Sequence, residues 1–515
     1  MPGEALVETF YITTPIYYPN APPHVGHAYT TVFADVVARY KRLLGYKVFF
    51  LTGNDEHGLK LQKAAEALGK APKDFVDEMA AVFKNYWKSL NVEYDHFIRT
   101  TDSYHEETVK YAFSYIYKKG LIYKASYSGL YCVECEKYYS PGEYVLVDGK
   151  PYCPLHNKPL EYMEEETYYF KLSEFKDYLL DVLKNKDIVY PRSYADEVVS
   201  KLEKEGLRDI SVARPVERVW WGIPVPFDEK YVIYVWFDAL LNYVSAIGFL
   251  SDRERFREYW SNVHHVIGKD ILWFHTVVWF SLLKALDLEP PKKLIVHAFL
   301  TMKGAKMSKS VGNVVTIEEL LERYGSADAA RYLLMRIFNM DKDSEFSFDL
   351  LDSIYESELA DTYGNLVRRI GVLAQKKADG KVYRRSVDSK IAEVIEEKLG
   401  EYAEAMSNFE VSRAAVAAMD VARAANQYLN ETKPWEKSEP GKELYSTLEA
   451  VRAATIMLYP FTPSASMLVA RSFGFSIENP FKAKLESVER YNIVKAPILF
   501  RKKERAPAKK QVEQS

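Results

Sequence analysis

Pro15-Ile-Tyr-Tyr-Pro-Asn-Ala-Pro-Pro-His24-Val-Gly26-His27 is the stretch on which the reading of the whole chain turns. It follows an apolar run, residues 10–14, with the character of a buried strand. It precedes a helical pattern over residues 28–44 that places Val32, Val36, Tyr40 and Leu43 on one stripe. Gly45 suits the end of that helix, and residues 47–51 read as the next strand. Strand, proline-rich turn, helix and strand make a βαβ unit, and open sheets of such units bind ligands beyond the carboxyl ends of their strands. The helix start there offers backbone N–H groups and the positive end of a dipole to phosphate. Gly26 sets no Cβ against a flat nucleotide ring. His24 and His27, three apart, share a face and can reach one triphosphate. Standing alone, the tetrad would more often be two surface imidazoles at a helix cap.

It does not stand alone. Lys306-Met-Ser308-Lys309-Ser310 lies between a strand pattern, residues 294–301, and a helix opened by the capping-box pair Thr316 and Glu319. A Lys-Ser loop by itself is an ordinary solvated turn. Together, His-x-Gly-His on a first βα turn and Lys-Met-Ser-Lys-Ser after a late strand resemble the class I aminoacyl-tRNA synthetases, with Val25 where Ile or Leu is also common. The resemblance implies that His24, Gly26, His27, Gly268, Asp270, Lys306, Ser308 and Lys309 bind ATP. Among them, His24, His27, Lys306 and Lys309 would be the catalytic set.

The 515 residues fit roughly three domains of about 150 each, and 48% apolar content suffices for their cores. A net charge of −3 carries no bulk signal for nucleic acid, so any RNA contact must be a local basic surface. The N-terminus shows no charged-then-apolar signal segment, which points to the cytoplasm. The most apolar long stretch, residues 271–288, contains His275, Lys284 and Asp287. It reads as a buried helix and not as a membrane span, which needs about 20 apolar residues.

Asp55, in Leu51-Thr-Gly-Asn-Asp55-Glu-His57-Gly58, is a candidate partner for a cation at the same sheet edge. Residues 60–119 read as helices covering the sheet. From about Gly120 to Arg192 the texture becomes tyrosine-rich and strand-like. Inside it, Cys132-Val-Glu-Cys135 is followed by Cys153-Pro-Leu-His156, and these are the only three cysteines of the chain. Three thiolates and one imidazole at this spacing suit one tetrahedral zinc ion, and four protein ligands make it structural. The alternatives are buried free thiols or a redox pair, but a cytosolic setting disfavours disulfides. In small modules such a metal contributes roughly 10 to 16 kcal/mol of apparent binding energy.

Trp236, Ala239 and Tyr243 recur at helical spacing, and Gly268-Lys-Asp270-Ile271 leads into a helix with His275 and Trp279 one turn apart. Such stripes are usually plain core. With Tyr18 they also suit an apolar pocket with few polar anchors, of a kind in which a thioether packs well. Here the resemblance narrows to the methionyl-tRNA synthetase family in its single-knuckle form. It covers nearly the whole chain, from Thr-Thr-Pro-Ile-Tyr-Tyr through Tyr-Val-Trp-Phe-Asp-Ala-Leu to the C-terminal helices. It implies a methionine pocket of Ile16, Tyr18, Asp55, Trp236, Ala239, Tyr243, Ile271 and His275, with Asp55 on the substrate ammonium. It also implies that Asn365, Arg369 and Trp435 read the anticodon, in keeping with single-stranded RNA being read by aromatic stacking and edge hydrogen bonds.

The expected fold is α/β: a Rossmann-like nucleotide-binding parallel sheet, an inserted zinc-knuckle connective domain and a C-terminal all-α anticodon-binding bundle. Its expected parts are residues 1–119 and 223–315 (catalytic halves), 120–222 (insertion), 316–358 (stem), 359–500 (bundle, with alanine-rich packing over 411–428) and 501–515. That last stretch, with six basic and two acidic side chains, reads as a disordered tail. The expected enzyme joins L-methionine to ATP, releases pyrophosphate and transfers the methionyl group to the 3′ end of tRNA(Met) for protein synthesis, including initiation. Mg²⁺ accompanies the ATP, and the chain is expected to be a monomer without a separate editing domain. Three rivals are a class I synthetase for cysteine, leucine, isoleucine or valine, an RNA-binding protein that kept the scaffold without catalysis, and a small-molecule nucleotidyltransferase. The commitment of the cysteines to the insertion weighs against the cysteine enzyme, the intact motif pair against the non-catalytic protein and the helical bundle against the nucleotidyltransferase.

Overall fold

The structure is a computed structural model that describes residues 7–132, 137–139, 141–155, 157–302, 304–306 and 314–502. Its centre is a six-stranded, wholly parallel sheet. In chain order the strands are β1 (Thr9–Thr13), β2 (Lys47–Asn54), β3 (His96–Arg99), β4 (Val189–Tyr190), β5 (Val263–Gly268) and β6 (Lys293–His297), and in space they run β3-β2-β1-β5-β6-β4. The chain leaves β1 for β2 on one side and later lays β5 on the other. The carboxyl ends of β1 and β5 therefore flank the topological switch point where open sheets hold ligands.

α1 (Val25–Leu43) follows the proline-rich turn and ends before Gly45, whose φ of +94° suits glycine. The sequence placed one apolar stripe on this helix. In the structure every residue from Ala28 to Tyr40 is buried, because α1 lies between the sheet and the helices Ile317–Tyr324 and Ala327–Arg336. Even Asp35 and Arg39 are enclosed, and Arg331 approaches Asp35 at 2.6 Å. Burial alone would raise the Asp35 carboxyl, but Arg331 and Arg39 hold it below the usual range. Arg331 also donates to the carbonyls of Pro460 at 2.8 Å and Phe461 at 3.2 Å, so a single guanidinium ties α1 to the C-terminal helices.

Three expectations need correction. Residues 60–119 are not all helical, since β3 extends the sheet between the helices Pro72–Ser89 and Ser103–Lys118. The strand-like texture does not last to Arg192, because Lys176–Asn185 and Arg192–Glu205 are helices. Between them β4 pairs with β6, so the inserted region returns to the central sheet earlier than composition indicated. Backbone pairing to a distant strand leaves little trace in a two-residue segment. The insertion proper is built on a long antiparallel pair, Ile122–Cys132 with Glu161–Phe170.

Beyond Thr316 the chain is largely helical. The run from Phe348 to Ala378 continues through a π-helical segment, Tyr355–Gly364, so the 358/359 division falls within it. Ser389–Ser407, Val411–Thr432, Gly441–Leu458 and Pro463–Phe473 complete the bundle, and their apolar faces merge with the α1 side of the sheet into one core. Residues 503–515, most of the expected tail, lie outside the described residues.

Candidate active site

His24 caps the helix it precedes. Its backbone is extended, its Nδ1 accepts the Gly26 N–H at 3.0 Å, and its own N–H donates to His27 Nδ1 at 3.0 Å. This is a capping box made from two imidazoles, whose rings lie 4.0 Å apart. Each Nδ1 is used as an acceptor, so each ring carries its proton on Nε2 and presents an N–H donor there. Gly26 has a nearer reason than room for a nucleotide. A Cβ at this position would stand 2.7 Å from His24 Cε1 and 3.0 Å from Nδ1, so only glycine lets the ring fold back onto the helix end.

Val315 and Thr316, beyond the lysine motif in sequence, meet the same point. The Val25 N–H donates to the Val315 carbonyl at 3.1 Å, and His24 and Thr316 form an antiparallel bridge. Thr316 then opens the next helix through the expected capping box with Glu319. At the start of that motif, Lys306 pairs with Thr301 through the backbone. Ser308, Lys309 and the Lys306 side chain lie outside what the structure describes. Gly268 and Asp270 stand at the carboxyl end of β5, next to β1, and a Cβ on Gly268 would meet Asp270 Oδ1 at 2.7 Å.

Beside this edge the aromatic residues converge. Trp236 stacks on Phe274 with centroids 3.9 Å apart and meets His275 edge-on at 6.4 Å. Tyr243 is almost wholly buried and its O–H pairs with His275 Nε2 at 2.8 Å, while His275 Nδ1 donates to the Ile271 carbonyl at 3.0 Å. Burial pushes the His275 imidazole down to about 4, consistent with a neutral ring that accepts from tyrosine. His275 lies in a π-helical turn, Phe274–Val278, a distortion that recurs at functional sites. Ile16, Trp236 and Ile271 pack at the margin of the same core as Tyr243, with Ala239 buried nearby. Tyr18 is placed differently, against the Leu61 and Phe75 cluster with Trp221.

Asp55 is buried at the end of β2, and its N–H donates to the Tyr17 carbonyl at 2.9 Å, which puts it beside Ile16 and Tyr18. The next residues are fastened firmly. The Glu56 carboxylate accepts from Arg99 Nε at 2.7 Å, its N–H donates to Thr100 Oγ1 at 2.8 Å, and Trp221 Nε1 donates to its carbonyl at 2.6 Å.

Sequence reasoning missed four members of this region. Asp238, fully enclosed, takes His57 Nδ1 on one oxygen and His105 Nε2 on the other, each at 2.7 Å. Burial would raise the Asp238 carboxyl, yet the two histidines hold it low, and Asp238 in return raises His57 against the effect of burial. His265 sits beneath Tyr243 at 4.1 Å and accepts from Trp279 Nε1 at 3.2 Å. The available signal was a carboxylate inside the apolar run Val235-Trp-Phe-Asp-Ala-Leu-Leu, where a charge demands partners.

Two sites lie apart. In the bundle, Asn365 and Arg369 are on one helix, and the Arg369 guanidinium lies 4.9 Å from the centroid of the Trp435 ring. Trp435 stands exposed in the loop between Val411–Thr432 and Gly441–Leu458. In the insertion, Cys132 and Cys153 are buried in one small cluster with Tyr139 and Leu160, while Cys135 and His156 lie outside the described residues. Among the described residues no helix is long and apolar enough to cross a membrane.

Comparison with known proteins agrees with this geometry. The family described as tRNA synthetases class I (M) matches residues 10–158 and 146–371, and the anticodon binding domain of methionyl tRNA ligase matches residues 380–511. The methionine–tRNA ligase of Caldanaerobacter subterraneus subsp. tengcongensis is 42% identical over 91% of this chain and 74% of its own length. That of Thermotoga maritima is 41% identical over 93% and 77%. The solved Mycobacterium tuberculosis methionyl-tRNA synthetase in complex with methionyl-adenylate superposes with a TM-score of 0.89 at 34% identity, covering 96% of this chain and all of that one. The capped helix start, the aromatic cleft beside it and these relatives across the chain's length place it in one family: it belongs to the class I methionine–tRNA ligases.

Proposed function

We propose that the cleft between β1 and β5 carries out the two steps of the methionine–tRNA ligase reaction with the residues assigned above. The enzyme activates methionine with ATP and charges tRNA. In the first step the methionine carboxylate attacks the α-phosphate, forming a mixed anhydride and expelling pyrophosphate. In the second a ribose hydroxyl of the tRNA takes the methionyl group and AMP leaves. No side chain need become a nucleophile, because positioning and neutralisation of phosphate charge carry most of such a transfer.

In this reading the Nε2–H groups of His24 and His27 donate to phosphate oxygens as charge builds there, and Lys306 and Lys309 close from the opposite side. Mg²⁺ bound with the nucleotide supplies further positive charge. Asp55 holds the substrate ammonium, and Trp236, Ala239, Tyr243, Ile271 and His275 surround the thioether chain. The observation that supports the reading is the bridge from His24 to Thr316, which sets the chain just beyond the lysine motif against the start of α1. Methionine-dependent exchange of labelled pyrophosphate into ATP tests it, with leucine, isoleucine, valine and cysteine in parallel. Activity with methionine alone is expected, and Lys309→Ala should lower the exchange rate with little change in methionine affinity. Exchange driven by another of these amino acids would overturn it.

Asn365, Arg369 and Trp435 form the proposed anticodon contact, with the exposed indole as the stacking platform. The insertion is read as holding one structural zinc through Cys132, Cys135, Cys153 and His156. Support comes from two thiols buried together in a cluster too small to act as a core. The enzyme is read as a cytoplasmic monomer, which sedimentation would check.

A further inference from the structure

The ammonium-binding carboxylate and the aromatic wall of the proposed methionine pocket come from different parts of the fold. Asp55 belongs to the loop that leaves β2, whereas Trp236 and Ala239 belong to the short helix Val235–Leu240. Asp238 lies on that helix and reaches the Asp55 loop through His57, two residues beyond Asp55, at 2.7 Å. Its second oxygen is braced at 2.7 Å by His105 from the helix Ser103–Lys118, and His105 Nδ1 pairs with Ser245 Oγ at 2.8 Å. All four side chains are buried. A carboxylate in such a place is stabilised only by charge-assisted hydrogen bonds of good geometry, and both of its oxygens have them.

On the sheet side the loop is held by Tyr17, Arg99 and Thr100, and Trp221 closes over it through the Glu56 carbonyl and the Gly58 N–H. The His57–Asp238 bond is a buried side-chain link from this loop to the helix bearing Trp236. We propose that Asp238 is a positioning residue for amino-acid recognition. It sets the distance between Asp55 and the aromatic wall, so that the α-ammonium and the thioether of one substrate are gripped together. The proposal rests on the reading of Asp55 as the ammonium ligand.

Three single variants and one double variant of the enzyme test it in methionine-dependent pyrophosphate exchange. Asp238→Asn keeps the shape but cannot accept from both imidazoles, and should raise the methionine KM by about tenfold while the ATP KM stays within about twofold, since displacement of a binding group by a fraction of an ångström is enough. His57→Leu should reproduce that change. His57→Gln, whose amide can still donate to Asp238, should recover most of the loss. The His57→Leu/Asp238→Asn double variant should be no worse than Asp238→Asn alone, because the His57 change acts on a link that Asp238→Asn already disturbs. Inhibition by 4-(methylthio)butanoate, which has no amine for Asp55 to hold, should be unchanged in every variant.

An unchanged methionine KM in His57→Leu would overturn the proposal. So would a parallel rise in the methionine and ATP KM values, or equal weakening of the desamino inhibitor, since either marks general loss of structure. If Asp238→Asn does not fold, the two His57 variants decide. Asp55→Asn separates this proposal from the reading beneath it: a normal methionine KM there would remove the ammonium assignment itself. A large rise there, with none in the His57 variants, would remove only the positioning role of Asp238.

Discussion

Replacing His24 separates two jobs that one imidazole performs. Its Nδ1 caps α1 by accepting the Gly26 N–H at 3.0 Å, while its Nε2–H is the proposed phosphate donor. His24→Asn preserves the cap, because asparagine is among the best residues at that position, but removes the second donor. His24→Ala removes both. Loss of the cap should destabilise the first turn by about 1 kcal/mol, equivalent to roughly fivefold faster hydrogen exchange at the Gly26 amide if opening is local. Loss of a donor preorganised for developing charge costs about 100- to 1,000-fold in rate. Measured by amide exchange, His24→Asn should therefore resemble the parent and His24→Ala should not. Measured by pyrophosphate exchange, both should be crippled to a similar extent. Full activity in His24→Asn, or activity that follows amide protection across the two variants, would refute the division of labour.

Tyr243→Phe leaves His275 Nε2 buried without its donor, at a cost of about 1 to 3 kcal/mol, and calorimetry should show methionine binding weakened about tenfold. Acid should act on the same imidazole. An unfolded histidine titrates near 6.5 and His275 in the fold near 4, so its contribution is complete above pH 6.5 and is lost as pH falls toward 4, up to roughly 3 kcal/mol. An NMR titration placing His275 near 6.5 would contradict this. Elemental analysis should find one zinc per chain, and chelation should expose the strands around Cys132 and Cys153 to proteolysis while leaving the central sheet protected. Arg369→Ala, which strips the cation from the Trp435 face, should raise the tRNA KM in aminoacylation and leave pyrophosphate exchange unaltered.

What the sequence determined by itself was local and chemical. The βαβ unit around His24 and His27 and the capping box at Thr316 were legible because each depends on neighbours within a few positions. Only the tertiary structure decided how those pieces meet. It buried α1 on all sides between sheet and helices, paired Val189 and Tyr190 with a strand more than a hundred residues away, and brought His24 against Thr316. It also turned Asp238 from an isolated charge in an apolar run into the junction of two histidines from separate helices and loops. Periodicity reports which way a side chain faces and not what it faces. Long-range partners are chosen by how close-packed surfaces fit, which no short window of sequence contains.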